Sequence, residues 1–396
     1  MSGIFIVAAK RTPFGAFGGA LKHMSATELG VVSTQAALEG ISPDIVDQVF
    51  FGNVIPSSTD AAYLARHIGL KSGIPIASPA LTLNRLCGSG FETVAQGANL
   101  IKLGEANVVV CGGTESMSMA PLQANGLQAR WGVTLGKGLH LEDSLWSGLT
   151  DAYANIPMGM TAENLAKQYG ITREECDAYA IRSQHTWGAA NEAGIFDAEM
   201  APIEISTRKG PVVVDTDEHP RPAATVESIG KLKPVFSKEG VVTAANASGI
   251  CDGAGTIILA SEQAVQEHNL TPLARVVSTA VTGCDPTIMG IGPVQAIRDA
   301  LRKAGGLDLA SQVDRVEINE AFAAQFLACA KELDLDMAKT NLHGGAISLG
   351  HPLGASGSRI TAHLAHAFSS DPSSKIHVGA ACIGGGQGIA VVLERA

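Results

Sequence analysis

The chain has 396 residues, of which 46% are apolar and 17% are charged, so it can bury a large interior in two or three domains or in one duplicated unit. Its net charge of −10 argues against nucleic acid as a partner, because phosphate binding needs concentrated lysine and arginine. No apolar run approaches the roughly 20 residues of a membrane span, and seven scattered cysteines without a CxxC pair disfavour a disulfide framework and a structural zinc site.

The first third of the chain predicts strands that alternate with helices. Apolar runs at 4–9, 46–54 and 106–111 predict buried strands. A capping box at Ser25 and Glu28 opens a predicted helix that ends near Leu38, and further helices are expected at 61–68 and 91–103. This alternation predicts a mostly parallel sheet covered by helices, in the α/β class.

Cys87 lies in a turn between the mostly apolar run 80–86 and the helix predicted at 91–103. Gly88 and Gly90 let the backbone turn sharply and let a substrate approach it. The free N–H groups at the start of the helix are expected to favour the thiolate. Cys87 is therefore a candidate nucleophile, and a small buried structural cysteine is the alternative.

The character of the sequence changes between 119 and 245, where the strand–helix alternation disappears. A short helix is predicted from Thr161, and a longer one from the capping box at Thr172 and Glu175 to about Ala193. We interpret this stretch as an inserted lid. The chain is thus divided into an N-terminal half (1–118, completed by 246–269), the lid (119–245) and a C-terminal half (270–396).

The C-terminal half repeats the element order of the N-terminal half. The run 273–282 resembles the first strand, and the segment at Asp314 resembles that at Asp47. The turn at 350–357 and its helix parallel the Cys87 turn and its helix, and 376–382 parallels 108–111 with Cys382 in the place of Cys111. If the halves pack around a pseudo-twofold axis, His351 faces Cys87.

Four segments then converge in one candidate site. A cysteine beside a histidine forms an activated nucleophile for acyl transfer. Cys382, with a pKa tuned toward neutral, can move a proton on and off a carbon acid. Gly384 offers a backbone N–H to an oxyanion, and Asn319 can hold a water or an oxygen. The alternatives are a loop histidine and packed cysteines; no metal site is expected, because no ligand cluster has suitable spacing.

Six motifs in this order resemble those of the thiolase family over essentially the whole chain. They lie at 84–90, 112–118, 246–249, 319–323, 350–357 and 382–388. The segments 284–293 and 141–146 resemble the mitochondrial-type, degradative branch that acts on 3-ketoacyl-CoA. The resemblance implies a duplicated five-layer αβαβα fold with an inserted lid domain, assembled into dimers or tetramers.

The resemblance also implies a role for each motif residue. Cys87 would carry the acyl group as a thioester. His351 would activate Cys87 and, with a water held by Asn319, stabilise the thioester oxyanion. Cys382 would exchange the α-proton of the acetyl unit, and the N–H groups of Cys87 and Gly384 would form a second oxyanion hole.

Coenzyme A is implied as a co-substrate, with no permanently bound cofactor. Arg221 and Ser248 would contact it, and Ala224 stands where a related type offers it a hydroxyl. Met158 and Phe322 would line the acyl end. A histidine of short-chain biosynthetic members is replaced by Pro157, which favours the degradative class.

The prediction is therefore a ping-pong thiolysis of 3-ketoacyl-CoA to acetyl-CoA and a shortened acyl-CoA, reversible to acetoacetyl-CoA formation, with slow acyl-CoA hydrolysis as a side activity. The alternatives are a short-chain biosynthetic acetyl-CoA acetyltransferase and a non-catalytic protein that binds acyl-CoA or lipid. A ketoacyl synthase is disfavoured because it would need a histidine at Cys382. A homotetramer, as a dimer of dimers with 130–140 as a candidate assembly loop, is expected in the mitochondrial matrix of a eukaryote or the cytoplasm of a bacterium.

Overall fold

The computed structural model describes residues 3–396 and contains one large mixed sheet with helices on its faces. The strands are β1 (Ile4–Arg11), β2 (Gly15–Ala16), β3 (Gln48–Gly52), β4 (Ala80–Leu83), β5 (Val108–Ser116), β6 (Leu122–Ala124), β7 (Leu141–Asp143), β8 (Thr150–Asp151), β9 (Ile156–Pro157), β10 (Ile203–Thr207), β11 (Gly210–Val214), β12 (Cys251–Ser261), β13 (Ala274–Gly283), β14 (Arg315–Ile318), β15 (Ile376–Ile383) and β16 (Gln387–Arg395). The helices are α1 (Ala26–Ala37), α2 (Leu64–Lys71), α3 (Ser89–Leu103), α4 (Gly126–Trp131), α5 (Ser144–Gly148), α6 (Met158–Tyr169), α7 (Arg173–Glu192), α8 (Val226–Ile229), α9 (Glu262–Glu267), α10 (Gly292–Lys303), α11 (Leu309–Gln312), α12 (Ala323–Leu333), α13 (Ala346–Leu349) and α14 (Ser356–Ser370). No helix within residues 3–396 is both long and apolar enough to cross a membrane.

The order of the strands repeats on the two sides of the sheet centre. The sheet runs β14-β15-β16-β13-β1-β12-β5-β3-β4, and β1 meets β13 through two residue pairs, Phe5 with Arg275 and Ile6 with Ala274. Moving outward, each side has two antiparallel pairings followed by a parallel one. This symmetry confirms the predicted duplicated α/β fold. The prediction of a mostly parallel sheet is wrong, because five of the eight pairings along this order are antiparallel and only the outer strands of each half pair in parallel.

A pair of aspartate hydrogen bonds to the backbone is also duplicated. Asp47 accepts hydrogen bonds from two backbone N–H groups at the start of β5, at 2.7 and 2.9 Å. Asp314 accepts the equivalent pair at the start of β15, at 2.7 and 3.0 Å. Each aspartate therefore fixes the beginning of the neighbouring strand, and the same pair of hydrogen bonds occurs in both halves.

The apolar side chains form helical layers on both sides of each half-sheet. The helices α1 and α2 pack on β3 and β5, whereas α10 and α12 pack on β14, β15 and β16. Between the half-sheets, α3 and α14 share one apolar cluster with strands of both halves, through Phe91 and Val94 on one helix and Ile360 and Leu364 on the other. The result is the predicted αβαβα succession.

The two central helices cross at their first turns. A Cβ atom added to Gly90 would lie 2.4 Å from the backbone nitrogen of Ser358, and one added to Gly357 would lie 2.2 Å from that of Phe91. Only glycine permits this approach. It brings together the two turns that precede α3 and α14, and these turns carry Cys87 and His351.

The predicted equivalence of Cys111 and Cys382 is wrong. Gln48 pairs with Val109 and Arg315 pairs with His377, so Cys111 corresponds to Gly379, and Cys382 lies three residues nearer the strand end. Cys111 packs instead in the core against Gly97. The strand predicted at 106–111 also continues to Ser116, because β12 pairs with it along its whole length.

The inserted stretch is more helical and better anchored than its sequence predicts. The helix α6 begins at Met158, before the predicted start at Thr161, and has 12 residues. The capping box at Thr172 and Glu175 opens α7 as expected. Through Leu165 and Tyr179, α6 and α7 pack into the apolar cluster of the C-terminal half. The residue boundaries of the three units remain a prediction.

Candidate active site

The turn before α3 holds a leucine in a conformation that leucine rarely adopts. Leu86 has a φ of +47°, which typically costs about 1–3 kcal/mol in a non-glycine residue. Its N–H donates to Asn84 Oδ1 at 2.9 Å, and its carbonyl accepts from Ser89 Oγ at 2.7 Å. Local hydrogen bonds thus hold a strained turn that presents Cys87, and no sequence pattern indicated this strain.

Cys87 is half-buried and lies against a cluster that contains Leu353 of the His351 turn. Burial raises the pKa of its thiol to about 11, although hydrogen bonds from the backbone N–H groups of Gly384 and Cys87 lower it in part. The prediction that the start of the helix would stabilise a thiolate is therefore wrong for this structure, because desolvation outweighs the N–H groups. The sulfur is a neutral thiol beside two N–H donors.

His351 is buried, and its two ring nitrogens have different partners. Its Nδ1 lies 2.5 Å from Ser356 Oγ, which in turn donates to the carbonyl of Pro352 at 3.2 Å. Nδ1 therefore carries the proton, and Nε2 is left as the base. Burial, assisted by the Arg359 cation, lowers the pKa of His351 to about 3. Sequence reasoning missed Ser356, although it opens α14 five residues after the histidine.

Asn319 follows β14 and reaches the same histidine. Its Nδ2 lies 3.4 Å from His351 Nε2. Its Oδ1 is buried and has no hydrogen-bond partner among residues 3–396. A polar group of a bound substrate or a water would satisfy this oxygen, since a buried polar atom normally has a partner.

Cys382 occupies the end of β15 in an apolar pocket. It is fully buried in a cluster with Met289 and Ala321, against which Met158 and Phe322 pack. Burial, and then the neighbouring Cys87, raises the pKa of the Cys382 thiol well above its ordinary value. The predicted near-neutral pKa is wrong for this structure, and Cys382 is a protonated thiol.

Gly384 closes the pocket between the two cysteine segments. A Cβ atom at this position would lie 3.1 Å from Leu86 Cδ1 and 3.3 Å from Met158 Sδ. The backbone of Gly384 can therefore approach Cys87 closely, as its hydrogen bond to the sulfur requires.

Glu115 is a further buried residue that sequence reasoning did not assign to the site. Its oxygens accept hydrogen bonds from Asn53 Nδ2 and from the backbone N–H groups of Val54, Ile55 and Gly354, at 2.9–3.1 Å. The last of these belongs to the His351 turn, and Val54 and Ile55 share the apolar cluster of Cys87. Glu115 therefore connects the His351 turn to Val54 and Ile55, which lie in the apolar cluster beside Cys87.

A cavity of about 230 Å³ lies between α7, the loop 219–224 and α13. Arg221 and Ala224, two of the predicted coenzyme A contacts, line it with Gln184 and Ile347, whereas Ser248 is not among its lining residues. Arg221 Nη1 donates to three carbonyls of its own loop. Within residues 3–396, no group of three or more His, Cys, Asp or Glu side chains is placed to hold a metal ion.

The sequence and the structure of this chain both match those of one family of known proteins. Residues 4–263 match the thiolase N-terminal domain, and residues 270–395 match the thiolase C-terminal domain. The chain is 59% identical to human mitochondrial 3-ketoacyl-CoA thiolase, over 100% of this chain and 98% of the relative, and 46% identical to an acetyl-CoA acetyltransferase of Pseudomonas aeruginosa, over 100% of both. The crystal structure of the human mitochondrial enzyme in complex with CoA superposes with a TM-score of 0.96 at 58% identity, covering 100% of this chain and 98% of that one. The resemblance predicted from the motifs is confirmed, and the chain belongs to the thiolase family.

Proposed function

We propose that this protein cleaves 3-ketoacyl-CoA with coenzyme A, giving acetyl-CoA and an acyl-CoA shortened by two carbons. The observation that carries the proposal is that the Gly384 N–H, which donates to the Cys87 sulfur, and the buried Cys382 thiol both lie beside that sulfur. Similarity to mitochondrial 3-ketoacyl-CoA thiolase over the whole chain supports this substrate class.

The first half of the reaction uses a thiol and an imidazole that both begin uncharged. His351 Nε2 takes the proton of Cys87 as the sulfur attacks the 3-keto carbon, so charge develops only along the reaction path. The N–H groups of Cys87 and Gly384 stabilise the oxyanion on that carbon. The bond between C2 and C3 then breaks, and Cys382 donates a proton to C2 to complete acetyl-CoA.

The leaving enolate needs its own stabilisation. Its thioester oxygen would lie at His351 and Asn319, where the partnerless Oδ1 can hold a water. In the second half, the thiolate left on Cys382 takes the thiol proton of coenzyme A, whose sulfur attacks the thioester carbon and expels the Cys87 sulfur. The protonated His351 returns its proton to the Cys87 sulfur, and the shortened acyl-CoA leaves with both thiols restored.

The placement of the coenzyme follows the cavity beside α7. Arg221 and Ala224 would contact coenzyme A there. Ser248 would contact it nearer Phe322, because its backbone N–H donates to the carbonyl of Ala321 at 2.9 Å. Met158 and Phe322 would line the acyl end beside Cys382. Coenzyme A is a co-substrate in this proposal, and no resident cofactor takes part.

A second candidate function is the reverse synthesis of acetoacetyl-CoA, favoured by the 46% identity to an acetyl-CoA acetyltransferase. Both directions use the same groups. We also propose a homo-oligomer. We propose the mitochondrial matrix as its location if the source is eukaryotic, supported by relatives that are named as mitochondrial, and the cytoplasm if the source is bacterial.

The test is thiolysis of acetoacetyl-CoA and of 3-ketohexadecanoyl-CoA, with Cys87→Ala and the matched core variant Cys176→Ala. We expect wild type and Cys176→Ala to cleave both substrates and Cys87→Ala to cleave neither. Cleavage of acetoacetyl-CoA alone would indicate the short-chain enzyme. Activity that survives in Cys87→Ala would refute the proposed nucleophile.

A further inference from the structure

The carboxylate that follows the candidate amide in sequence is fully buried and held from four sides. Glu320 Oε1 accepts from the Tyr179 hydroxyl at 2.7 Å and from Asn341 Nδ2 at 3.1 Å. Its Oε2 accepts from the Ser183 hydroxyl at 2.7 Å and from the backbone N–H of Ile347 at 3.1 Å. Four donors from three segments leave this carboxylate a single orientation.

Two of the four donors, Ser183 and Ile347, belong to segments that line the cavity proposed to bind coenzyme A. Ile347 lines the cavity, and so does Gln184, which follows Ser183 in α7. Gln184 Nε2 donates to the carbonyl of Ile347 at 3.3 Å, and its Oε1 accepts from the backbone N–H of Arg221 at 2.7 Å. A continuous series of hydrogen bonds therefore runs from the cavity loop to Glu320.

Another of the four donors, Asn341, fixes the end of β14, the strand that Asn319 directly follows. The side chain of Asn341 accepts from the N–H of Ile318 and donates to its carbonyl, both at 2.9 Å. This amide takes the place of a neighbouring strand at the end of β14, and it is also a donor to Glu320. The backbone N–H of Asn319 donates to the carbonyl of Ala380 at 2.9 Å.

We propose that Glu320 is a positioning residue of the reaction, which holds the Asn319 amide against His351 by anchoring it to the wall of the coenzyme cavity. The inference rests on the proposed thiolysis and adds a residue that does not touch the reacting atoms. Its physical basis is the short covalent link between the two side chains. A displacement of the Glu320 carboxylate moves the Asn319 backbone and carries the amide away from the imidazole.

The central experiment is a double-mutant cycle on thiolysis of acetoacetyl-CoA with Asn319→Ala, Glu320→Gln and the combined variant. Because a displacement of about 1 Å can cost about 100-fold in rate, we expect Glu320→Gln alone to lower kcat by about 100-fold. In the Asn319→Ala background, we expect Glu320→Gln to add less than about a threefold loss, because the amide through which it acts is gone. Multiplication of the two losses would overturn the inference.

A milder pair of variants covers the case in which Glu320→Gln fails to fold. Tyr179→Phe removes one of the four donors and keeps the ring. The matched control is Tyr169→Phe, since the Tyr169 hydroxyl donates to Glu332 on the exposed surface at 3.3 Å. We expect kcat to fall by about three- to tenfold in Tyr179→Phe, with KM for coenzyme A nearly unchanged, and not to fall in Tyr169→Phe.

These measurements distinguish a failure of the positioning role of Glu320 from a failure of the proposed thiolase function. Equal activity of Tyr179→Phe and Tyr169→Phe would overturn the positioning role while leaving the thiolase proposal intact. Absence of thiolysis in the wild type would refute the proposed function itself, on which the inference rests.

Discussion

Cys87 and His351 are both uncharged in the structure, and burial is the cause in each case. Burial raises the pKa of Cys87 to about 11 and lowers that of His351 to about 3. A neutral pair avoids the cost of a buried ion pair before substrate binds. In the proposed mechanism, the proton then moves only when the sulfur attacks, so the charged pair never has to exist before the reaction begins.

The raised pKa of Cys87 and the lowered pKa of His351 predict how the alkylation of Cys87 depends on pH. Only the thiolate reacts, and its fraction rises with pH toward the pKa of about 11. We therefore expect the iodoacetamide rate at Cys87 to rise about tenfold per pH unit between pH 7 and pH 10. No inflection is expected near pH 6.5, because His351 stays neutral down to about pH 3. The measurement is mass-spectrometric labelling of the Cys87 peptide, and a plateau below pH 8 would contradict it.

Ser356 is predicted to maintain the reactive tautomer of His351. Its hydroxyl accepts from Nδ1 and thereby leaves Nε2 as the base. Ser356→Ala removes this acceptor, so we expect kcat to fall by about 10²-fold, near the lower end of what general base catalysis contributes. Ser358→Ala is the control, since Ser358 Oγ donates to the backbone carbonyl of Ala355, directly before α14, and not to the histidine. Equal rates in the two variants would show that Ser356 does not set the tautomer.

At the scale of elements, the crossing of α3 and α14 determines whether the site exists. The turns that carry Cys87 and His351 meet because Gly90 and Gly357 let the helices touch backbone to backbone. The strained Leu86 turn and the Glu115 hydrogen bonds then orient the segments that the crossing brings together.

Gly357→Ala is predicted to separate the two helices. The new Cβ would lie 2.2 Å from the backbone nitrogen of Phe91, so the backbone must shift. We expect the free energy of unfolding to fall by about 1–3 kcal/mol, as in overpacked cores, and thiolysis to fall with it. Gly126→Ala is the control, because a Cβ there meets nothing within 4 Å. Urea unfolding of both variants is the measurement, and equal midpoints would refute the expectation.

At the scale of the whole molecule, the stretch 122–146 exposes an unusual number of large apolar side chains. Among them, Leu127, Trp131 and Leu135 are 74%, 78% and 101% exposed. Large apolar side chains exposed together in one segment are typical of an interaction surface. This exposure supports the sequence prediction that the region from Arg130 to His140 is an assembly loop.

The assembly prediction is tested by placing charge on this loop. We expect light scattering of the wild type to give a mass near four times the 40.7 kDa of one chain. Trp131→Glu combined with Leu135→Glu is expected to halve that mass, because a buried unpaired carboxylate opposes association. Val213→Glu, on the exposed hairpin strand β11, is the control. An unchanged mass in the double variant would exclude this loop as the interface.

Much of the fold follows from local sequence. The apolar runs of the strands and the capping boxes at Ser25 and Thr172 each act within a few residues, so they are visible without tertiary contacts. The motifs identified Cys87, Asn319, His351 and Cys382 as candidates, and the duplication indicated that two of their turns would meet. Their catalytic roles remain predictions that the experiments above test.

Only the tertiary structure determined the surroundings of those residues. The pKa values of Cys87, His351 and Cys382 depend on how much of the chain covers them, and the sequence predicted the opposite direction for the two thiols. The strain at Leu86, the partner of His351 Nδ1 and the donors to Glu320 involve contacts that no motif encodes. Local patterns therefore determine which elements form and which residues can react, whereas desolvation and long-range hydrogen bonds determine how those residues are charged and oriented.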